Sequence, residues 1–72
     1  MEKLAKVLRA ELHDNFKCTV RTCDGYIIVY ENDNIITRSL SKVVFAFAET
    51  NHLCCYISVS IQGYLRFVLY ED

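Results

Sequence analysis

Hydrophobic residues recur near the start of the chain at three- and four-residue steps, Leu4, Val7, Leu8 and Leu12, with Lys3, Lys6 and Arg9 between them. That period gathers the apolar set on one face of a helix running from Glu2 to His13 and leaves the basic residues on its wet side. His13 suits the negative end of the helix dipole, and Asp14-Asn15 is a stop signal. The pattern then switches to alternation. Phe16 to Cys23 and Tyr26 to Glu31 read as two strands around Asp24-Gly25, a dipeptide favoured in two-residue hairpin turns because both positions need positive φ. Pairing Cys23 with Tyr26 across that turn puts Phe16, Cys18, Val20, Ile27 and Val29 on one face.

The same series is then written again. Leu40, Val43, Val44, Phe47 and Ala48 form a second amphipathic stripe that Ser39 or Ser41 can cap, with Phe45 outside it. The β-propensity of Val43 to Ala48 would also allow a strand, but the match of Leu40-Ser41-Lys42-Val43-Val44 to Leu4-Ala5-Lys6-Val7-Leu8 favours a helix. Strands from Leu53 to Ser60 and from Tyr64 to Tyr70 flank Ile61-Gln62-Gly63. A three-residue loop with Gly63 in the left-handed position sets Ser60 opposite Tyr64 and collects Leu53, Cys55, Ile57, Val59, Leu65, Phe67 and Leu69 on one side. A shorter Gln62-Gly63 turn would mix serines into that set, since a slip of one residue inverts every side chain.

Two helix-strand-strand units, about 1–33 and about 34–72, therefore make an αββαββ chain that reads as one domain over 1–72. The predicted fold is α+β: a four-stranded antiparallel sheet in the order 1-2-4-3, with both helices on one face. Strands 2 and 4 are the most apolar and belong in the centre, whereas edge strands tolerate polar residues. The expected core is Leu4, Val7, Leu8, Leu12, Phe16, Val20, Ile27, Val29, Val43, Val44, Phe47, Ile57, Val59, Leu65, Phe67 and Leu69.

Composition narrows the function classes. A chain of 72 residues buries only about 60% of its unfolded surface, which makes self-association a natural supplement to the core. Eight basic residues face nine acidic ones, there is no proline, and 53% of the residues are hydrophobic, so neither a disordered tail nor a polycationic nucleic-acid binder is indicated. The longest apolar run, Val43 to Ala48, is far too short to span a membrane. No secretory leader precedes the first helix, so the expected location is cytoplasmic and the four cysteines are expected as free thiols. Cys18 to Cys23 and the adjacent Cys54-Cys55 lack the paired spacing of a zinc ribbon or finger, and no metal or other cofactor is expected. Cys18 and Cys55 are placed inside, Cys23 and Cys54 on the open face.

Once the helices cover one face, the other carries Lys17, Thr19, Arg21, Cys23, Tyr26, Ile28, Tyr30, Cys54, Tyr56, Ser58, Ser60, Tyr64, Arg66, Val68 and Tyr70, a set that includes all five tyrosines. Tyrosine, arginine and scattered aliphatics are the mixture enriched at the centres of protein interfaces. Arg21, Tyr26, Ile28, Tyr30, Tyr56, Tyr64, Arg66, Val68 and Tyr70 are the candidate partner-binding residues. Tyrosine also has high β-propensity and suits half-wet strands without any binding role. Catalytic chemistry is not apparent. His13 and His52 fall at helix ends, where capping or solvent contact explains them, and both glycines are explained by turns.

The function expected is thus a non-enzymatic protein-protein interaction module, acting as a homodimer or on a larger protein. Small proteins without catalytic signatures can work by occluding a larger protein's site, as phage inhibitors of host defence proteins do. The alternative is a small protein binding single-stranded RNA or DNA, with bases stacked on the tyrosines and Lys17, Arg21 and Arg66 meeting phosphates.

Overall fold

The computed structural model describes residues 1–72. Its elements follow the order α1 (Glu2–His13), β1 (Cys18–Cys23), β2 (Tyr26–Glu31), α2 (Arg38–Thr50), β3 (Leu53–Val59) and β4 (Leu65–Glu71). The strands form one antiparallel sheet in the order β1-β2-β4-β3. Both helices pack on the same face, α1 against β1 and α2 against β3. The predicted α+β architecture and strand order are therefore those of the structure.

Turn chemistry sets the register of both hairpins. Asp24 and Gly25 take positive φ of 49° and 84°, the conformation that a two-residue turn requires, and Cys23 pairs with Tyr26. In the second hairpin Ser60 N donates to Tyr64 O at 2.9 Å, Gly63 N donates to Ser60 O at 2.9 Å, and Gly63 sits at φ +88°. The three-residue loop is thus the one present, and Val59 faces Leu65.

The sequence pattern hides what ties the two halves together. Between β2 and α2, Glu31 O accepts from Asn34 N at 2.9 Å. Leu65 N, at the start of β4, donates to Asn34 Oδ1 at 2.6 Å, and Asn34 Nδ2 donates to Gly63 O at 3.3 Å. Asn34 itself has φ 59°, a conformation asparagine tolerates better than most residues. Its side chain continues the β2–β4 ladder beyond the last residue of β2. The Glu31 carboxylate accepts from Asp33 N and Ile35 N, at 2.8 Å each, and holds the rest of the linker. Thr37, not Ser39 or Ser41, caps α2, its Oγ1 accepting from Leu40 N at 3.1 Å.

The core lies between sheet and helices: Leu8, Leu12, Val20, Ile27, Val29, Val44, Phe47, Phe67 and Leu69 are buried as expected, joined by Ala5, Leu40 and Ala48. Leu4, Phe16 and Val43 are half-buried against it, and Leu65 is half-buried. Three expected core residues are exposed: Val7 (50%), Ile57 (45%) and Val59 (60%). The buried stripe of α1 is Ala5, Leu8 and Leu12, which lets the helix approach the sheet over a small side chain and turns Val7 outward. On β3, Leu53 and Cys55 pack on the core, whereas Ile57 and Val59 extend beyond it. Phe45 is also partly open, resting edge-on against Phe67 with ring centroids 6.0 Å apart.

Phe67 has no solvent exposure and is the largest fully buried side chain. Phe67→Ala should cost about 3–5 kcal/mol and abolish the cooperative melt, whereas Val7→Ala should change stability by about 0.5 kcal/mol or less. Thermal unfolding followed by circular dichroism distinguishes the two outcomes.

Candidate functional site on the open face of the sheet

Ladder pairing arranges the uncovered face in rows. One row runs Cys23, Tyr26, Tyr70, Cys54; the next Arg21, Ile28, Val68, Tyr56; the next Thr19, Tyr30, Arg66, Ser58. Tyr64 stands at the end of the face, opposite Ser60. All the predicted partner-binding residues are therefore brought to one side. The strand positions of this face carry Arg21 and Arg66 and no carboxylate, while Glu31 and Glu71 alternate to the helical side.

The tyrosines are packed on one another. Tyr70 lies between Tyr26, with centroids 5.8 Å apart and planes at 53°, and Tyr56, at 6.0 Å and 70°. Tilted contacts of this kind favour aromatic pairs, because the positive edge of one ring meets the negative face of the next. Val68, in the adjoining row, is only 3% exposed although no helix lies over this face. It is one of the residues expected to meet a partner, but at this exposure it offers almost no surface for contact and lies between its ladder neighbours Ile28 and Tyr56. Ile28, Tyr30 and Tyr70 are half-buried, and Tyr26, Tyr56 and Tyr64 are exposed. Arg66 is held in place, Nε donating to Ser58 Oγ at 3.0 Å and Nη1 to Tyr30 Oη at 3.5 Å. Arg21 is exposed.

Two shallow depressions adjoin Arg21 and Tyr30. One, of about 440 Å³, is walled by Thr19, Ser60 and Tyr64; the other, of about 420 Å³, by Tyr26, Ile28 and Arg66. Each brings aromatic surface, hydroxyl groups and a guanidinium together, with an acidic residue also in the wall, Glu31 in the first and Asp24 in the second.

The reactive side chains are spread over the fold. His13 contacts Asp14 at 3.2 Å at the exposed end of α1, and His52 occupies a left-handed turn before β3. No three His, Cys, Asp or Glu side chains converge in a way that could hold a metal ion. All the cysteines are free. Burial raises the Cys18 thiol, with the Glu31 charge adding to it, and burial pushes Cys55 up to about 11. On the open face, the electrostatic influence of the adjacent Cys54 side chain raises the Tyr70 phenol. No helix is long and apolar enough to cross a membrane. No protein-family model matches the chain, and no curated protein or solved structure matches it.

The cysteines provide a check on the face assignment. Moving a thiol from 9.0 to about 11 lowers its thiolate fraction at neutral pH roughly a hundredfold. Brief alkylation at pH 8 should accordingly label exposed Cys23 first and Cys55 last, read by mass spectrometry of peptides. The folded state also holds the Cys55 proton more tightly than the unfolded chain does. That preference stabilises the fold fully below about pH 9 and is lost as the pH rises towards about 11. Melts across that window should show a loss of stability that Cys55→Ala diminishes.

Proposed function

We propose that the chain is a non-enzymatic protein-binding module whose tyrosine-rich open face docks on another protein. The observation carrying this reading is the ordered tyrosine and arginine cluster of the face. Here Tyr26, Tyr70 and Tyr56 are already ordered by mutual ring contacts and Arg66 by its bonds to Ser58 and Tyr30. Groups ordered before binding lose less rotamer entropy on association, so more of their contact energy appears as affinity. The exposed rings and the guanidinium of Arg21 suit a partner surface that offers apolar side chains and hydrogen-bond acceptors.

Ring geometry favours a protein over single-stranded nucleic acid. Neighbouring rings inclined at 53° and 70° cannot all lie parallel to one plane. Successive bases therefore find no continuous stacking platform of the kind such proteins use. The basic side chains of the face are also few for a phosphate-tracking groove.

Tyr64 is 54% exposed and contributes nothing to the core, so it can be truncated without disturbing the fold. The experiment is affinity capture after nuclease treatment, followed by titration of the captured protein with wild type and variant. Tyr64→Ala should weaken binding about thirtyfold or more, an interface hot-spot effect, with mild salt dependence and an unchanged melt. A partner indifferent to Tyr26→Ala, Tyr64→Ala and Arg21→Ala together rejects the reading. So does tight oligonucleotide binding that falls steeply with salt.

A further inference from the structure

The two edges of the sheet are built differently. On β1, the edge carbonyl of Val20 accepts from Arg9 Nη2 of α1 at 2.7 Å, and Thr22 Oγ1 donates to the Glu2 carboxylate. Arg21 adds a charge to the strand. Capping and charging are the usual means by which an edge strand is kept from pairing with another chain. On β3 neither is present: Leu-Cys-Cys-Tyr-Ile-Ser-Val carries no charge and no proline. Its flank on the helical side is the apolar group left outside the core, Ile57 and Val59 from the strand and Phe45 from α2.

The hydrogen bonding of the second hairpin determines what the β3 edge offers. Ser60 N donates to Tyr64 O, so the alternation of an antiparallel ladder turns Cys54, Tyr56 and Ser58 towards β4. The N–H and C=O groups of Leu53, Cys55, Ile57 and Val59 then point away from the sheet. Their complement is another extended strand.

We propose that the chain forms a two-fold dimer in which β3 pairs antiparallel with β3 of a second copy, centred on Tyr56. In this register Leu53 faces Val59 of the second copy and Cys55 faces its Ile57. Every outward backbone group of the strand finds a partner, and no like charges meet. The axis stands perpendicular to the sheet, so the apolar flanks of the two copies come together on the helical side. The result is closed: the outer strands of the eight-stranded sheet are the two capped β1 edges, which stop further addition. Both tyrosine faces lie on the same side of this sheet, with the two Tyr56 side chains adjacent at its middle. The pairing does not depend on what that face binds.

Sedimentation velocity under reductant, from micromolar to millimolar protein, tests the proposal together with amide exchange by NMR. Wild type should dimerise as concentration rises. Ile57→Lys and Val59→Lys should each weaken that association by about thirtyfold or more while keeping a folded circular dichroism spectrum, and Tyr64→Ala should leave it unchanged. Amide protons of Leu53, Cys55, Ile57 and Val59 should exchange more slowly at high concentration, when they become bonded across the axis. A wild type that stays monomeric throughout overturns the proposal, as does a dimer that survives both lysine substitutions. Association lost in Tyr64→Ala and kept in Ile57→Lys would place self-contact on the open face and overturn it equally. Val59 is 60% exposed, so Val59→Lys remains a usable test should Ile57→Lys fail to fold.

Discussion

Antiparallel pairing of β2 with β4 joins two hairpins that would each be marginal in water. Ile27 faces Leu69 and Val29 faces Phe67 across this seam, and all of these side chains are fully buried beneath the helices. On the opposite face the same ladder sets Ile28 beside Val68 and Tyr26 beside Tyr70. The seam therefore builds the core and the aromatic surface at once. Asn34 extends it past the end of β2 and ties the crossing linker to the beginning of β4. Without the seam, each helix would have only a two-stranded ribbon to cover.

A sheet of this width with helices on one side leaves two kinds of unfinished surface. The open face is partly finished by its own side chains, because Tyr26 and Tyr56 pack on Tyr70 and Val68 is buried among its strand neighbours. What remains exposed there is amphipathic, with rings, hydroxyl groups and the Arg21 guanidinium, and such a surface stays hydrated in isolation yet gives contact area on docking. The β3 edge is unfinished in another sense: its backbone groups point outward with no charged side chain to guard them. Strand addition and face docking are physically separable, since one uses main-chain hydrogen bonds and the other side-chain surface. Their separation means that the proposed dimer would not consume the face proposed to bind.

The local rules that carried furthest were those with strict geometry. Asp24-Gly25 and Ile61-Gln62-Gly63 dictated where each hairpin turns, and period-two alternation did the rest, so both hairpin registers and all the residues of the open face were legible. The helices were legible as elements but less so in rotation. Val7 has an apolar side chain and Ala5 barely any, yet Ala5 is the one against the sheet, since close approach rewards a small residue at the nearest point. Thr37 and Asn34 were not legible as the cap and the strap. Their roles depend on where the linker crosses, and that path is determined by contacts between segments far apart in the chain.

The amino-acid sequence by itself determined the element order, the two turns, the hairpin registers and the division of strand residues between two faces, because each follows from backbone geometry within a few neighbours. Tertiary structure alone decided which of those residues are covered. Ile57 and Val59 alternate in phase with buried Phe67 and Leu69, but the core ends short of them, whereas Val68 alternates towards the open face and is nonetheless buried, between Ile28 and Tyr56 on the neighbouring strands. Burial depends on the width of the layers and on lateral packing between strands, and neither is encoded in the period of a single strand.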